Sequence, residues 1–215
     1  KMRECGDNEI EREYWDKRQL VKKINLNSLY GAILNPGCRF FDIRIGQSVT
    51  LTGRCITKHM ASKVNEIVAG KYDHKGESVV YGDTDSVYFT AHKTLKKEID
   101  NGVIPWTKES VVALYDKISD EVNGSFKAFM TKAFHTPSTR GEVIAAGREL
   151  VASKGLFITK KRYAVLYYDK EGTRTDNEGK EGKMKAMGLD LKRSDTPVFV
   201  QDFLSDLLYL SLIHI

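Results

Sequence analysis

Cysteine is scarce and unpaired in this chain. The three present, Cys5, Cys38 and Cys55, are odd in number and show no Cys-x-x-Cys spacing. That excludes a disulfide framework and a cysteine zinc site, and points to free thiols in a reducing compartment. The five histidines are scattered, so neither His-Glu-x-x-His nor a paired His/Cys spacing is available to a zinc enzyme. No signal-peptide pattern opens the sequence. The one long apolar run, near the C-terminus, is too short and too interrupted to span a bilayer, so no membrane partner is expected. Internal repeats and low-complexity linkers are missing as well.

What is there has the balance of a soluble globular protein: 215 residues, 41% hydrophobic and 29% charged. The length allows a sizeable core, in one domain or in parts of two. The net charge is +5, and its location matters more than its size. Between Ser153 and Arg193 there are 11 Lys/Arg against 6 Asp/Glu, so that stretch holds the whole excess. A local basic surface suits a polyanionic partner, although a merely solvated face has the same composition. The opening at Lys1 reads as a piece of a longer polypeptide.

Periodicity predicts a charged helix from about Glu9 to Leu34, with Ile10, Tyr14, Val21 and Ile24 along one stripe, stopped by Asn35-Pro36-Gly37. A second helix is expected from about Gly46 to Ala69, with Gly70 as its stop. A third runs from about Lys108 to Ala133, with Thr107 as N-cap. Leu156–Thr159 and Tyr163–Tyr168 read as strands, and Asp169–Gly182 as a long exposed turn. Asp195-Thr196-Pro197 marks the start of a helix to about Leu212, too apolar to stand alone.

Three elements carry chemistry. In Tyr81-Gly82-Asp83-Thr84-Asp85-Ser86, two carboxylates sit at a sharp turn between the short strands Ser78–Val80 and Val87–Thr90, with Gly82 supplying the turn. Such a tip is either plain turn chemistry or a holder for a hard cation such as Mg²⁺, which takes one or two carboxylates plus substrate phosphates. On a helix, Lys23, Asn27 and Tyr30 fall at i, i+4 and i+7 and share a face. A cation and a ring together can grip a phosphate and pack on a base or sugar, or can simply be a solvated lysine and a buried tyrosine. In Lys160-Lys161-Arg162-Tyr163, strand alternation sends Lys161 and Tyr163 to one face and Lys160 and Arg162 to the other. That suits a nucleic-acid backbone, or equally a basic edge that discourages aggregation.

Taken in order, Lys-x-x-x-Asn-Ser-x-Tyr-Gly, Tyr-Gly-Asp-Thr-Asp-Ser and Lys-Lys-Arg-Tyr resemble family B (polymerase alpha-like) DNA polymerases, nearest to the phage-type replicative enzymes. Arg39-Phe40-Phe41-Asp42-x-Arg44 also resembles the segment just after the Tyr-Gly motif in that family. The resemblance implies an α+β palm, with a mainly antiparallel sheet backed by helices, plus an N-terminal fingers helix. It divides the chain into fingers at 1–36, palm at 37–193 and the start of a thumb at 194–215. It implies two-metal nucleotidyl transfer of a dNTP to a primer 3′-hydroxyl, with two Mg²⁺ ions. Asp85 would bind both ions, with Asp83 in a supporting role. Lys23 would contact the incoming phosphates, while Asn27 and Tyr30 shape the pocket around the nascent pair. Lys160, Lys161 and Tyr163 would hold the primer–template duplex. Glu149, in Gly147-Arg148-Glu149-Leu150, aligns loosely with an acidic palm residue near the metals.

The departures count too. The family's further metal-binding aspartate, in an Asp-x-x-Ser-Leu-Tyr-Pro-type motif, does not occur in this sequence. The first fingers helix, the amino-terminal domain, the 3′–5′ exonuclease and most of the thumb are missing too. The expectation is therefore a fragment inactive alone. Implied partners are primer–template DNA, dNTPs and a sliding clamp reached through missing C-terminal parts. The implied compartment is the cytoplasm of a bacterial or phage-infected cell, or a nucleus for a eukaryotic source. Rival readings are a non-catalytic DNA-binding module that keeps a polymerase-like palm, and a metal-dependent nuclease using Asp83 and Asp85.

Overall fold

The computed structural model describes residues 9–176 and 181–214; Cys5 and residues 177–180 of the Asp169–Gly182 segment fall outside them. The chain forms two compact units, Lys1–Cys55 and Ile56–Ile215. The first holds α1 (Glu9–Ile33) and the start of α2 (Ile43–Ala69). α1 buries none of its residues, so the expected apolar stripe of Ile10, Tyr14, Val21 and Ile24 faces outward. After the Asn35–Gly37 turn, Asp42 starts α2. Its Oδ1 accepts the Arg44 backbone N–H at 2.9 Å, and its Oδ2 the guanidinium at 2.7 Å. Those bonds hold the Asp42 carboxyl down at about 2. This capping arrangement gives Arg39–Arg44 a local structural reason.

The second unit is α+β. It contains the remainder of α2, then β1 (Val79–Asp83), β2 (Ser86–Phe89), α3 (His92–Asp100), α4 (Lys108–Phe134) and the single turn α5 (Ser138–Gly141). Next come β3 (Leu150–Thr159), β4 (Arg162–Lys170), β5 (Thr173–Arg174), β6 (Lys183–Met187) and α6 (Val198–His214). All strand pairs among the described residues are antiparallel, but they form two sheets where one was expected. β1 and β2 make a hairpin of their own, and β4 is flanked by β3 on one side and by β5 and β6 on the other.

Two apolar clusters fix these layers. Val64 of α2 packs with Ile118, Val122 and Phe126 of α4 beneath Val79 and Phe89 of the small hairpin. Ala164, Leu166 and Ala186 of the larger sheet pack against Leu212, Leu204 and Leu208 of α6. The opposite side of α6 still exposes Phe199, Phe203, Leu207 and Leu210. Thr107 caps α4 as predicted: its hydroxyl accepts the Ser110 N–H, and the Ser110 hydroxyl accepts the Thr107 N–H at 3.0 Å.

Three expectations need correction. Gly82 does not make the turn; it lies in β1 opposite Val87, and the two-residue loop is Thr84-Asp85, with Thr84 at φ 45°. Lys160 and Lys161 do not alternate along a strand, because they are the loop between Thr159 and Arg162, with Lys161 at φ 63°. Asp169 and Lys170 belong to β4 rather than to an exposed turn, and Asp169 is only 2% exposed. In each case a tertiary contact stabilises a backbone state that local sequence does not favour. At the Lys161 loop, for example, Gly188 at φ 64° brings its backbone so close that a Cβ there would lie 2.1 Å from Lys161 O.

Candidate active site

The small hairpin and the β3–β4 hairpin are joined by rings. Tyr81, Tyr88, Phe157 and Tyr163 form a four-ring cluster with centroid separations from 5.3 to 5.9 Å, inside the range for favourable aromatic pairs. Tyr88 and Tyr163 hydroxyls are hydrogen-bonded at 3.0 Å. Burial, reinforced by that bond, raises the Tyr88 pKa, so its hydroxyl stays protonated. Tyr163 is buried at 8% exposure, which makes it a structural pin before it is anything else.

Tyr81 carries the link to the loops. Its hydroxyl accepts the Lys161 backbone N–H at 2.8 Å and donates to Asp83 Oδ2 at a long 3.4 Å. Asp83 Oδ1 accepts from the Thr84 hydroxyl at 3.1 Å. Both Asp83 oxygens therefore have partners within the protein, and Asp83 is half-buried. Asp85 is exposed at the loop tip. The Thr84 carbonyl between them accepts the Thr57 hydroxyl of α2 at 2.9 Å. Lys160 and Lys161 are exposed on the neighbouring tip.

Asp85 also lines a cavity of about 590 Å³ that Arg148, Glu149 and Lys154 reach from β3 and the chain before it. Glu149 is not idle there. Its carboxylate accepts Lys185 Nζ of β6 at 2.6 Å. Arg148 is committed to ion pairs with Asp116 of α4 and buried Asp169 of β4. Among the described residues, no three His, Cys, Asp or Glu side chains gather as a metal cage. The donor set still suits a hard cation that draws most of its ligands from a phosphate substrate and water, because Asp83 and Asp85 offer oxygen donors at an accessible tip.

Of the predicted residues, Asp83, Asp85, Glu149, Lys160, Lys161 and Tyr163 all lie in the second unit. Lys23, Asn27 and Tyr30 lie on α1 in the first unit, with Lys23 and Asn27 exposed and Tyr30 half-buried. The Tyr30 hydroxyl donates to Gly46 O at 3.4 Å. Sequence reasoning missed Tyr81, Tyr88, Phe157, Thr57 and Lys185. An aromatic residue in each of the short strands β1, β2 and β3 was a usable signal for the ring cluster; nothing local marked Thr57 or Lys185.

Comparison with known proteins adds a family. Residues 1–132 match the family model described as DNA polymerase family B. The chain is 32% identical over 198 residues to the DNA-directed DNA polymerase of Escherichia phage RB69, covering 87% of this chain and 21% of that protein. It is 30% identical over 200 residues to the DNA-directed DNA polymerase of Enterobacteria phage T4, with the same coverage. The DNA polymerase delta catalytic subunit of Oryza sativa subsp. japonica matches at 30% over 202 residues, 93% of this chain and 15% of that protein. The chain thus spans about a fifth of the length of the phage relatives. The family match includes Lys23 to Asp85 and ends before β3. A match over 87% of the chain is too long to stop short of Lys160–Tyr163.

Proposed function

The chain belongs to the family B DNA polymerases, and on that premise we propose that it carries the palm and part of the fingers of a template-directed DNA polymerase. The observation that carries the proposal is the hydrogen-bonded path from the Lys161 backbone through Tyr81 to Asp83, which ties a basic loop to a carboxylate tip. A duplex gripped at one tip is thereby held against the carboxylates of the other.

When bound, two Mg²⁺ ions supply activation of the primer 3′-hydroxyl and neutralisation of the triphosphate and leaving pyrophosphate. Asp85 would be the principal ligand, a role its exposed carboxylate leaves open, and Asp83, whose oxygens already serve the hairpin, would support it. Lys160 and Lys161 contact the duplex backbone without reading sequence, while Tyr163 anchors their loop from beneath. Lys23 grips the incoming triphosphate, and Asn27 and Tyr30 shape the nascent pair's pocket. Glu149, with Lys185 as its counter-ion, would lie near the metals. The domain division is fingers at 1–36, palm at 37–193 and thumb from 194. Primer–template DNA and dNTPs are the partners, with a sliding clamp engaged through segments outside this chain. The site of action is wherever the source replicates its DNA, in cytoplasm or nucleus.

This chain alone lacks the Asp-x-x-Ser-Leu-Tyr-Pro-type motif, so its metal site is incomplete and it extends no primer by itself. The test has two arms. In the complete polymerase, Asp85→Ala should abolish template-dependent extension while leaving primer–template affinity within about threefold, since charge contacts dominate that affinity. The isolated chain should give no extension with Mg²⁺ and dNTPs. Extension by the Asp85→Ala polymerase would end the metal assignment. The lack of a three-carboxylate cluster among the described residues favours one rival, a non-catalytic DNA-binding palm. That rival predicts salt-dependent binding and no extension by the complete protein under any divalent metal.

A further inference from the structure

The tip between Asp83 and Asp85 holds a backbone state that its residue disfavours. Two-residue hairpin loops need a positive φ, which glycine or asparagine ordinarily provides. Here a β-branched threonine, Thr84, sits at φ 45°. Such a conformation is costly and persists only where the surroundings over-determine it.

Besides the Tyr81–Asp83 contact, three side-chain hydrogen bonds surround this loop. Two are internal to the hairpin: Thr84 Oγ1 to Asp83 Oδ1 at 3.1 Å, and Ser86 Oγ to Asp83 O at 3.2 Å. The third comes from outside, where Thr57 Oγ1 donates to Thr84 O at 2.9 Å. That carbonyl shares its rigid peptide plane with the amide nitrogen of Asp85. Holding the oxygen therefore sets the plane from which the Asp85 side chain departs. Thr57 is suited to the task because α2 is itself anchored there. Ile56 and Met60, on either side of it, pack into the apolar cluster formed by Val64, Ile118, Val122 and Phe126.

We propose that Thr57 is a positioning residue for the carboxylate tip, holding Thr84 in its left-handed conformation so that Asp85 points where it can receive a divalent cation. This deepens the polymerase reading and rests on it. The role assigned to Thr57 runs through the Thr84 carbonyl.

The test uses the complete polymerase, with Mn²⁺ as the probe and a dideoxy-terminated primer–template and dNTP present. The EPR signal of free aquo-Mn²⁺ gives the dissociation constant. Thr57→Val, which removes the hydroxyl and keeps the branched shape, should weaken Mn²⁺ binding about fivefold, the worth of one net hydrogen bond. Metal-free primer–template affinity should stay unchanged. Thr57→Ser should bind Mn²⁺ as the wild type does. Adding Thr84→Gly to Thr57→Val should restore binding to within about twofold, because glycine adopts positive φ without outside support. That rescue is an effect a general loss of stability would not produce. Wild-type affinity in Thr57→Val, weakened binding in Thr57→Ser, or no recovery in the double variant would each overturn the proposal. If Thr57→Val melts too early to measure, the Thr57→Ser result alone decides. Primer extension by the wild type, abolished by Asp85→Ala, is run alongside. If the wild type does not extend, the polymerase reading fails; if it extends and only the Thr57 results go wrong, this inference alone fails.

Discussion

Arg148→Met should be strongly destabilising. The Arg148 side chain is 11% exposed and bridges Asp116 of α4 to Asp169 of β4. Asp169 is 3% exposed at its side chain and also accepts the Gly172 N–H at 3.1 Å. Removing the arginine strands that buried carboxylate, and breaking a buried pair from one side costs about 3–5 kcal/mol. Asp116 adds little, because its side chain is 50% exposed and can rehydrate. The lower end, about 3 kcal/mol, is the expected loss, equivalent to a fall of about 6–12 °C in melting temperature for a chain of this size. Urea unfolding should show a lower midpoint with an unchanged slope. The double variant Arg148→Met/Asp169→Asn removes both charges. It should recover much of the loss, so the two single effects should be far from additive. A loss below about 1 kcal/mol in Arg148→Met, or simple additivity in the double variant, would show that water already reaches Asp169 and would refute the reasoning.

Named contacts give two further outcomes. His59, buried between α2 and α4, bonds Tyr72 at 2.7 Å and Ser125 at 2.9 Å and stacks on Phe129; burial, helped by Lys63, lowers its pKa below the usual 6.5. The unfolded chain takes up that proton first, so stability is full above about pH 6.5 and falls as pH drops toward the depressed folded value. Urea midpoints measured from pH 8 to 5 should show this slope in the wild type, and a shallower one in His59→Gln; equal slopes would rule His59 out as its source. In the complete polymerase, Lys161→Ala should weaken primer–template binding similarly for all sequences and reduce the slope of log affinity against log salt by about 1. Sequence-dependent weakening would contradict a backbone contact.

Much of the fold was legible because its signals were local. α4 begins at Thr107 because a hydroxyl residue with Ser110 three positions on closes a capping box, a relation visible within four residues. The two loops were not legible for the converse reason. Thr84-Asp85 and Lys160-Lys161 contain no glycine or asparagine, so propensity placed the turn at Gly82 and ran a strand through both lysines. What holds those loops is remote: Thr57 lies 27 residues from Thr84, and Tyr81 lies 80 residues from Lys161. β6 went unread although its lysines alternate with apolar residues as a half-buried strand's would, because Lys183–Met187 is only five residues long and follows a polar segment. Its Ala186 becomes core only by pairing with Ala164 of β4. Asp169 looked like part of a polar turn because its partner Arg148 sits 21 residues upstream.

Glu149 is where motif and contact pull in different directions, and Lys185 decides between them. A carboxylate that only tethers β6 would contribute an ordinary, partly exposed ion pair, with Glu149 52% and Lys185 28% exposed at their side chains. Losing it would cost under about 1 kcal/mol and leave the carboxylate tip unaffected. A carboxylate that also shapes the field at the Asp85 cavity would behave differently. Lys185→Met leaves Glu149, which lines that cavity, uncompensated, and should make the cavity more attractive to a divalent ion. The cavity is open, so the gain should be modest, about twofold to threefold in Mn²⁺ affinity and smaller at high salt. Glu149→Gln should weaken Mn²⁺ binding, and in the double variant Lys185→Met should no longer help, because the charge it exposes has gone. If Lys185→Met lowers the melting temperature slightly and leaves Mn²⁺ affinity unchanged, Glu149 is a tether for β6. On that outcome Glu149 drops out of the proposed metal site, which is left with Asp85 and Asp83.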